Sequence, residues 1–348
     1  IHQFNERSRR EARLTEELEL LRSAEPITID GQRLVLRANV DFPEESDFAA
    51  RSGADGVGLM RTEFLVVGRT TMPDEEEQFR AYKRVAESFH GAPVVIRTYD
   101  IGGDKLPVGG HPTEANPFLG WRAIRMCLDE PEMFKTQLRA LMRAASFGDV
   151  RIMLPLVVST EEVRSARALI LEGSLELQAR GIAHRSDLPV GVMIETPAAA
   201  VAADSFVGDA SFFSIGTNDL TQYTLAIDRG NANLAPRFTP LHPAVLRLIQ
   251  RTVEVGAKNG IEVTVCGEMA SQPLTAYALI GLGVRTMSVA PRSMTLLKRL
   301  VRGTDARVAA VCAGAALAAR TAAESEAIIF KSFAATFGDI AELFDGLP

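Results

Sequence analysis

Eight short apolar runs, separated by stretches of helical periodicity, constrain this chain more than any other feature of its sequence. They are LVLRANVD (34–41), GVGLMRTE (56–63), PVVIRTYD (93–100), VRIMLPLV (150–157), VGVMIET (190–196), FFSIGT (212–217), VTVCGE (263–268) and TMSVA (286–290). Helical patterns between them include 73–89, 131–147, 160–180 and 242–258. A strand that is apolar on both faces must be covered on both, which is the condition met in a parallel sheet flanked by helices. Eight such units fit a closed (β/α)8 barrel of the TIM type better than an open doubly wound sheet. The expectation rests on counting, because no internal repeat marks the units.

At 348 residues the chain has room for about two domains by a prior of roughly 150 residues each, although α/β barrels exceed that prior as single domains. Residues 1–22 are dense in charge, with Leu14, Leu18 and Leu21 spaced along one helical face. They read as a solvated connecting helix, which SAEPITIDG then breaks. The expected division is therefore a connecting helix at 1–25, left over from an interdomain linker, and a barrel domain at 26–348 that includes an alanine-rich helical tail. The chain opens on Ile1, and a piece of something longer is expected.

A net charge of -6 argues against a general basic surface for nucleic acid or anionic membrane, so an anionic ligand must be held by a local cluster of arginines. Three widely spaced cysteines, Cys127, Cys266 and Cys312, make neither a disulfide framework nor a zinc spacing, and a cytoplasmic setting is expected. The nearest approach to a membrane helix, VAAVCAGAALAA (308–319), falls short of the roughly 18 apolar residues required and ends at Arg320.

Polar groups gather where the apolar runs stop: RTE, RTYD, LPL, IET, GTND and CGE. In a barrel the C-terminal strand ends share one face, and that face carries the chemistry. Arg61 or Arg97 alone reads equally well as an ion-pair partner or an anion ligand. Two guanidinium forks at the ends of adjacent strands favour an anion between them. Glu195 and Asp219 end the fifth and sixth runs and should be neighbours. Asp219 alone would serve as a helix cap, but two adjacent carboxylates repel unless a proton or a cation lies between them. Few oxygen ligands next to phosphate-binding arginines suit Mg²⁺.

Cys266 alone reads as a small buried hydrophobe, whereas at the same mouth its thiol could act as general acid, general base or nucleophile. Cys127 and Cys312 fall in helical segments and read as structural. His242, in LHPAVLRLI, opens a helix and reads as a capping or positioning residue. The long Gly- and Pro-rich loop 101–130 reads as functional rather than disordered, because its NPFLGWR core carries the single tryptophan. DIGGDK (100–105) lacks P-loop spacing, yet Lys105 could reach a phosphate as a point charge.

GVGLMRTEFL, RTYDIGGDK, NPFLGWRAIR, MLPLV, MIETPAAA, FFSIGTNDLTQYTLAIDRGN, HPAVLRLI and VCGEMA together resemble the PEP-binding domain of enzyme I of the bacterial phosphotransferase system. This is the phosphoenolpyruvate-protein phosphotransferase family within the PEP-utilising enzymes. The resemblance runs from the lead helix to about residue 302. It implies that Arg61 and Arg97 hold the phosphate of phosphoenolpyruvate (PEP), with Asn218 beside them. Glu195 and Asp219 would bind Mg²⁺, Arg229 would reach back to the substrate, and Cys266 would protonate the enolate carbon as pyruvate forms. Lys105 and Arg122 stand in matching motifs.

The family's phosphorylated histidine belongs to a separate N-terminal domain, and its Ser-His motif is not found in this sequence. The resemblance thus implies a C-terminal part that binds PEP without completing the transfer. It further implies a homodimer, with a phosphocarrier protein downstream. GEMASQP, where the family more often has Gly-Asp after GEMA, and PRFTPLHP depart from the pattern without touching these ligands. Two other readings stay open: a regulatory paralogue or PEP sensor, and a lyase or aldolase acting on pyruvate-like keto acids, which would need no phosphate clamp.

Overall fold

A computed structural model of the chain describes residues 18–102 and 114–341. All eight expected strands are present: β1 (Val35–Val40), β2 (Val57–Met60), β3 (Pro93–Arg97), β4 (Asp149–Leu154), β5 (Val190–Ile194), β6 (Phe212–Ile215), β7 (Glu262–Val265) and β8 (Thr286–Val289). They close into one barrel in sequence order. Every neighbouring pair is parallel, and β1 meets β8 from Val35↔Thr286 to Ala38↔Val289. Most strands stop just short of the polar residues at the run ends; β3 ends on Arg97 itself, and Asn218 and Asp219 fall in the helix that follows β6.

The continuous apolar character of the strands has two destinations. Outward residues join a single large core with the surrounding helices, while Leu59, Val95, Met153, Met193, Phe212 and Cys266 form a separate small cluster. That cluster is the barrel interior. A methyl group on Gly191 would lie 2.3 Å from the Phe212 ring, so the glycine of β5 makes the room that the aromatic of β6 fills. Small-against-large pairing of this kind suits a narrow barrel. Where Glu262 opens β7, Arg37 of β1 pairs with it in a two-pronged contact at 2.6 and 2.9 Å.

The helices begin and end where local chemistry directs. In the helix Pro243–Asn259, His242 Nδ1 accepts from the Ala244 N–H at 3.1 Å, proline occupies the first turn, and Gly260 at φ +67° stops it. His242 is thus a cap, as its position suggested. Cys127 and Cys312 are buried in helices Ala123–Asp129 and Ala306–Ala318.

Beyond the barrel, Ala306–Ala318 and Ala322–Thr336 pack over the helix Pro273–Gly281, with Phe333 and Phe337 edge-on to Tyr277 at 6.0 and 6.3 Å. Most of the expected connecting helix, residues 1–17, lies outside the described residues, and the stretch from 18 to 25 is pinned to the barrel. Lys298 Nζ donates to the Arg22 carbonyl at 2.5 Å and Arg302 Nη1 to that of Glu25 at 3.0 Å. No helix among the described residues is long and apolar enough to cross a membrane.

Alanine in the tail allows close helix contact, and Gly281 exploits it. A methyl group there would lie 2.2 Å from the Ala309 carbonyl, whereas one on Gly314 meets nothing within 4 Å. Gly281→Ala is expected to cost about 1–3 kcal/mol by overpacking. Gly314→Ala, within a helix, is expected to gain about 0.5–1 kcal/mol. Urea unfolding of the two variants beside the wild type checks both signs.

Candidate active site

β3 ends on Arg97, and the next loop returns Asp100 beside it. Arg97 Nη1 lies 2.9 Å from Asp100 Oδ2, and Nη2 lies 2.7 Å from Glu63 Oε1. Arg122 approaches the other Asp100 oxygen through Nη2 at 2.5 Å and Nε at 3.1 Å. Asp100 is therefore a bridge between two buried guanidinium groups. Arg61, just past β2, is more open and pairs with Asp41 at 2.5 Å. The two readings of these arginines coexist, because both are ion-paired and both line the same cleft.

Glu195 follows the last residue of β5 and is only 2% exposed. Its Oε1 accepts from the Leu156 N–H at 2.6 Å, and Leu156 holds φ +58°, a strained value for such a side chain. Asp219 stands four residues past β6 rather than at the strand end, in the first turn of the helix Thr217–Leu225, where the helix dipole favours a carboxylate. Its Oδ1 lies 3.7 Å from Arg229 Nη2 and its Oδ2 3.6 Å from Arg122 Nη2; Oδ1 accepts no hydrogen bond among the described residues. Gly216 lets the Glu195 carboxylate pack against the start of that helix, since a methyl group there would lie 2.6 Å from Glu195 Oε2.

Burial pushes the Glu195 carboxyl well above the usual carboxylate range, and the charges of Asp219 and Asp100 push it further. Arg97 and the Leu156 N–H act the other way without prevailing. A buried acid next to another acid prefers a shared proton or a cation. Among the described residues no group of three or more His, Cys, Asp or Glu is arranged around a metal position. The available set is two carboxylates with open space beside them, which fits the one or two protein carboxylates that Mg²⁺ takes alongside substrate oxygens.

Cys266, directly after β7, is 1% exposed and belongs to the interior cluster. The Ser214 hydroxyl donates to its sulfur at 3.2 Å, and the thiol faces the Ile215 carbonyl at 3.6 Å. Burial raises its pKa to about 11, even though the Ser214 hydrogen bond, Arg97 and Arg61 act to lower it. At neutral pH the group is a protonated thiol, suited to give a proton and poorly suited to attack as a thiolate.

Asn218 is held by Glu268: its Nδ2 donates to Glu268 Oε1 and its Oδ1 accepts the Glu268 N–H, both at 3.1 Å. One cleft is lined by Arg61, Arg97, Glu195, Asn218, Asp219, Arg229 and Cys266 together. Arg122 lies behind it through Asp100, and Lys105 lies outside the described residues. A larger cleft of about 490 Å³, with Phe118, Pro197 and Ile227 in its wall, opens alongside but contains neither the acid pair nor the thiol.

The sequence matches the model of the PEP-binding domain of PEP-utilising enzymes over residues 15–306. The chain belongs to this family. It is 44% identical over 331 residues to a phosphoenolpyruvate-protein phosphotransferase of Haemophilus influenzae, covering 94% of this chain and 58% of that protein. Proteins of the same name from Geobacillus stearothermophilus and Staphylococcus carnosus are each 46% identical, over 307 and 291 residues. Those matches cover 87% and 83% of this chain and 53% and 51% of the relatives. The chain thus spans about half the length of the curated relatives it matches. Every site residue named above falls inside the family match.

Asp100, Glu63 and Glu268 were not singled out as site residues in the sequence. Asp100 carried a faint signal, since RTYD places a carboxylate three positions after Arg97. Glu268 carried none beyond adjacency to Cys266 and Gly267, because its contact with Asn218 spans 50 residues.

The raised pKa of Glu195 has a consequence for stability. In the unfolded chain the carboxyl ionises near about pH 4.3. Below that value both states hold the proton and nothing is lost; above it the folded state loses stability steadily until the folded pKa is passed. Glu195→Gln retains an acceptor for the Leu156 N–H without the charge. In the presence of EDTA the variant is expected to melt higher than wild type at pH 7–8. The two melting curves should converge below about pH 4, as followed by thermal unfolding across pH.

Proposed function

We propose that this domain binds PEP with Mg²⁺ and hands its phosphoryl group to a histidine on a separate N-terminal domain, releasing pyruvate, as the first step of a sugar phosphotransferase system. The observation that carries this reading is the placement of a buried, protonated thiol in the same cleft as two strand-end arginines and two acids. Family membership supports it independently.

PEP is an enol trapped by its phosphate. Arg61, Arg97 and the Asn218 amide would orient the phosphate, while Arg229 reaches the substrate from the opposite loop. Such transfer needs mainly positioning and charge neutralisation. Mg²⁺, held by Glu195 and Asp219, would supply further neutralisation of the phosphate and enol oxygens. As the P–O bond breaks, its electron pair stays on the enolate oxygen and the phosphorus bonds to the histidine nitrogen.

Cys266 then gives its proton to the methylene carbon, completing pyruvate. Arg97 and Arg61, which act to lower the thiol pKa, would steady the thiolate until it regains a proton from water. A phosphocarrier protein would take the phosphoryl group onward, with the domain acting as a homodimer in the cytoplasm.

Calorimetric titration of PEP is expected to give binding that requires Mg²⁺ and is lost in Asp219→Ala. Binding indifferent to both would remove the metal assignment. With the histidine domain added, Cys266→Ala is expected to bind PEP as wild type does while forming pyruvate about 10²–10⁴-fold more slowly. Unchanged pyruvate formation in a coupled assay would take the proton from another source.

A further inference from the structure

The segment that presents Arg229 has little secondary structure of its own, and one side chain ties it to the helix that carries Asn218 and Asp219. Gln222 lies one turn after Asp219 in the helix Thr217–Leu225 and is 4% exposed. Its main-chain carbonyl accepts from the N–H groups of Ala226 and Ile227, and Ala226, at φ +54°, turns the chain out of the helix. Its side-chain Oε1 then accepts the Arg229 N–H at 3.0 Å. The amide orientation is determined by that donor, since a flipped group would set NH₂ against N–H. Gln222 Nε2 is buried and donates to no group among the described residues. The role of this amide therefore rests on its oxygen.

We propose that Gln222 is a positioning residue for the substrate arginine. By clamping the Arg229 main chain it sets the reach of the guanidinium, whose Nη2 lies 3.7 Å from Asp219 Oδ1. Arg229 and Asp219 are thereby held as a pair rather than independently. Without the clamp, Arg229 would need to be ordered by the ligand itself, and binding would weaken by the cost of that ordering. This inference rests on the substrate role proposed above for Arg229.

Gln222→Leu removes the acceptor and Gln222→Glu retains it. Gln222→Met, unbranched like glutamine, replaces the leucine variant if that one melts lower than wild type. In the acceptor-less variant the Arg229 amide is expected to exchange its hydrogen at least about tenfold faster by NMR. PEP with Mg²⁺ is expected to bind about tenfold more weakly by calorimetry, and Gln222→Glu to restore both. In an Arg229→Ala background the same substitution is expected to cost nothing further.

An unchanged Arg229 amide overturns the proposal, as does an equal affinity loss with and without Arg229, which would mark Gln222 as merely structural. If Arg229→Ala alone leaves PEP affinity intact, the substrate role of Arg229 fails and this inference falls with it. Amide exchange would still register the clamp in that case, so the two failures are distinguishable.

Discussion

Asp100 holds together a chain of alternating charge that crosses the barrel mouth. From Glu63 the chain runs to Arg97, then Asp100, Arg122, Asp219 and Arg229, each step an ion pair between 2.5 and 3.7 Å. Most of these groups are buried, where an uncompensated charge is severely unfavourable and a compensated one is tolerable. Burial alone would weaken the Arg97 and Arg122 guanidiniums, yet the neighbouring acids hold their pKa values above the ordinary arginine value. The mouth is thus an electrostatic lattice before any ligand enters it. An anion arriving there meets cations already oriented by their carboxylate partners.

The same lattice explains why the acids differ. Asp100 sits between guanidiniums and is compensated, whereas Glu195 faces Asp219 and Asp100, which outweigh Arg97 and the Leu156 N–H. That imbalance opposes the stability of the ligand-free fold. Strain and unpaired charge of this kind tend to be retained where a site must receive something. The strained Leu156 backbone, whose N–H meets Glu195, belongs to the same pattern. Cys266 sits between these regimes: its sulfur belongs to the apolar interior, while its surroundings include the arginines that would accommodate a thiolate.

Eight strands and the principal helices were legible because their signal is local and repetitive. VGVMI is buried at all five positions of β5, and no partner need be known to read such a run as a covered strand. The residues at the run ends were legible for a related reason, since a parallel barrel places all eight C-terminal ends on one rim. Asp219 shows the limit of that rule. It was expected at a strand end, but Gly216 starts a helix at once and moves the carboxylate into its first turn. Asp100 was barely legible as a site residue, and Glu268 and Gln222 not at all, because each acts through partners chosen by loop geometry.

The sequence by itself determined the strand count, the apolar strand bodies, the capping role of His242 and the residues that face the mouth. Periodicity and local capping chemistry act over a few residues, and family motifs act over ten or twenty. Which carboxylate neutralises which arginine, and that the Cys266 thiol is sealed inside the barrel as a protonated group, were decided only by tertiary structure. Those outcomes depend on distances between loops far apart in the chain and on how much water the closed barrel excludes. Neither quantity exists until β1 has met β8.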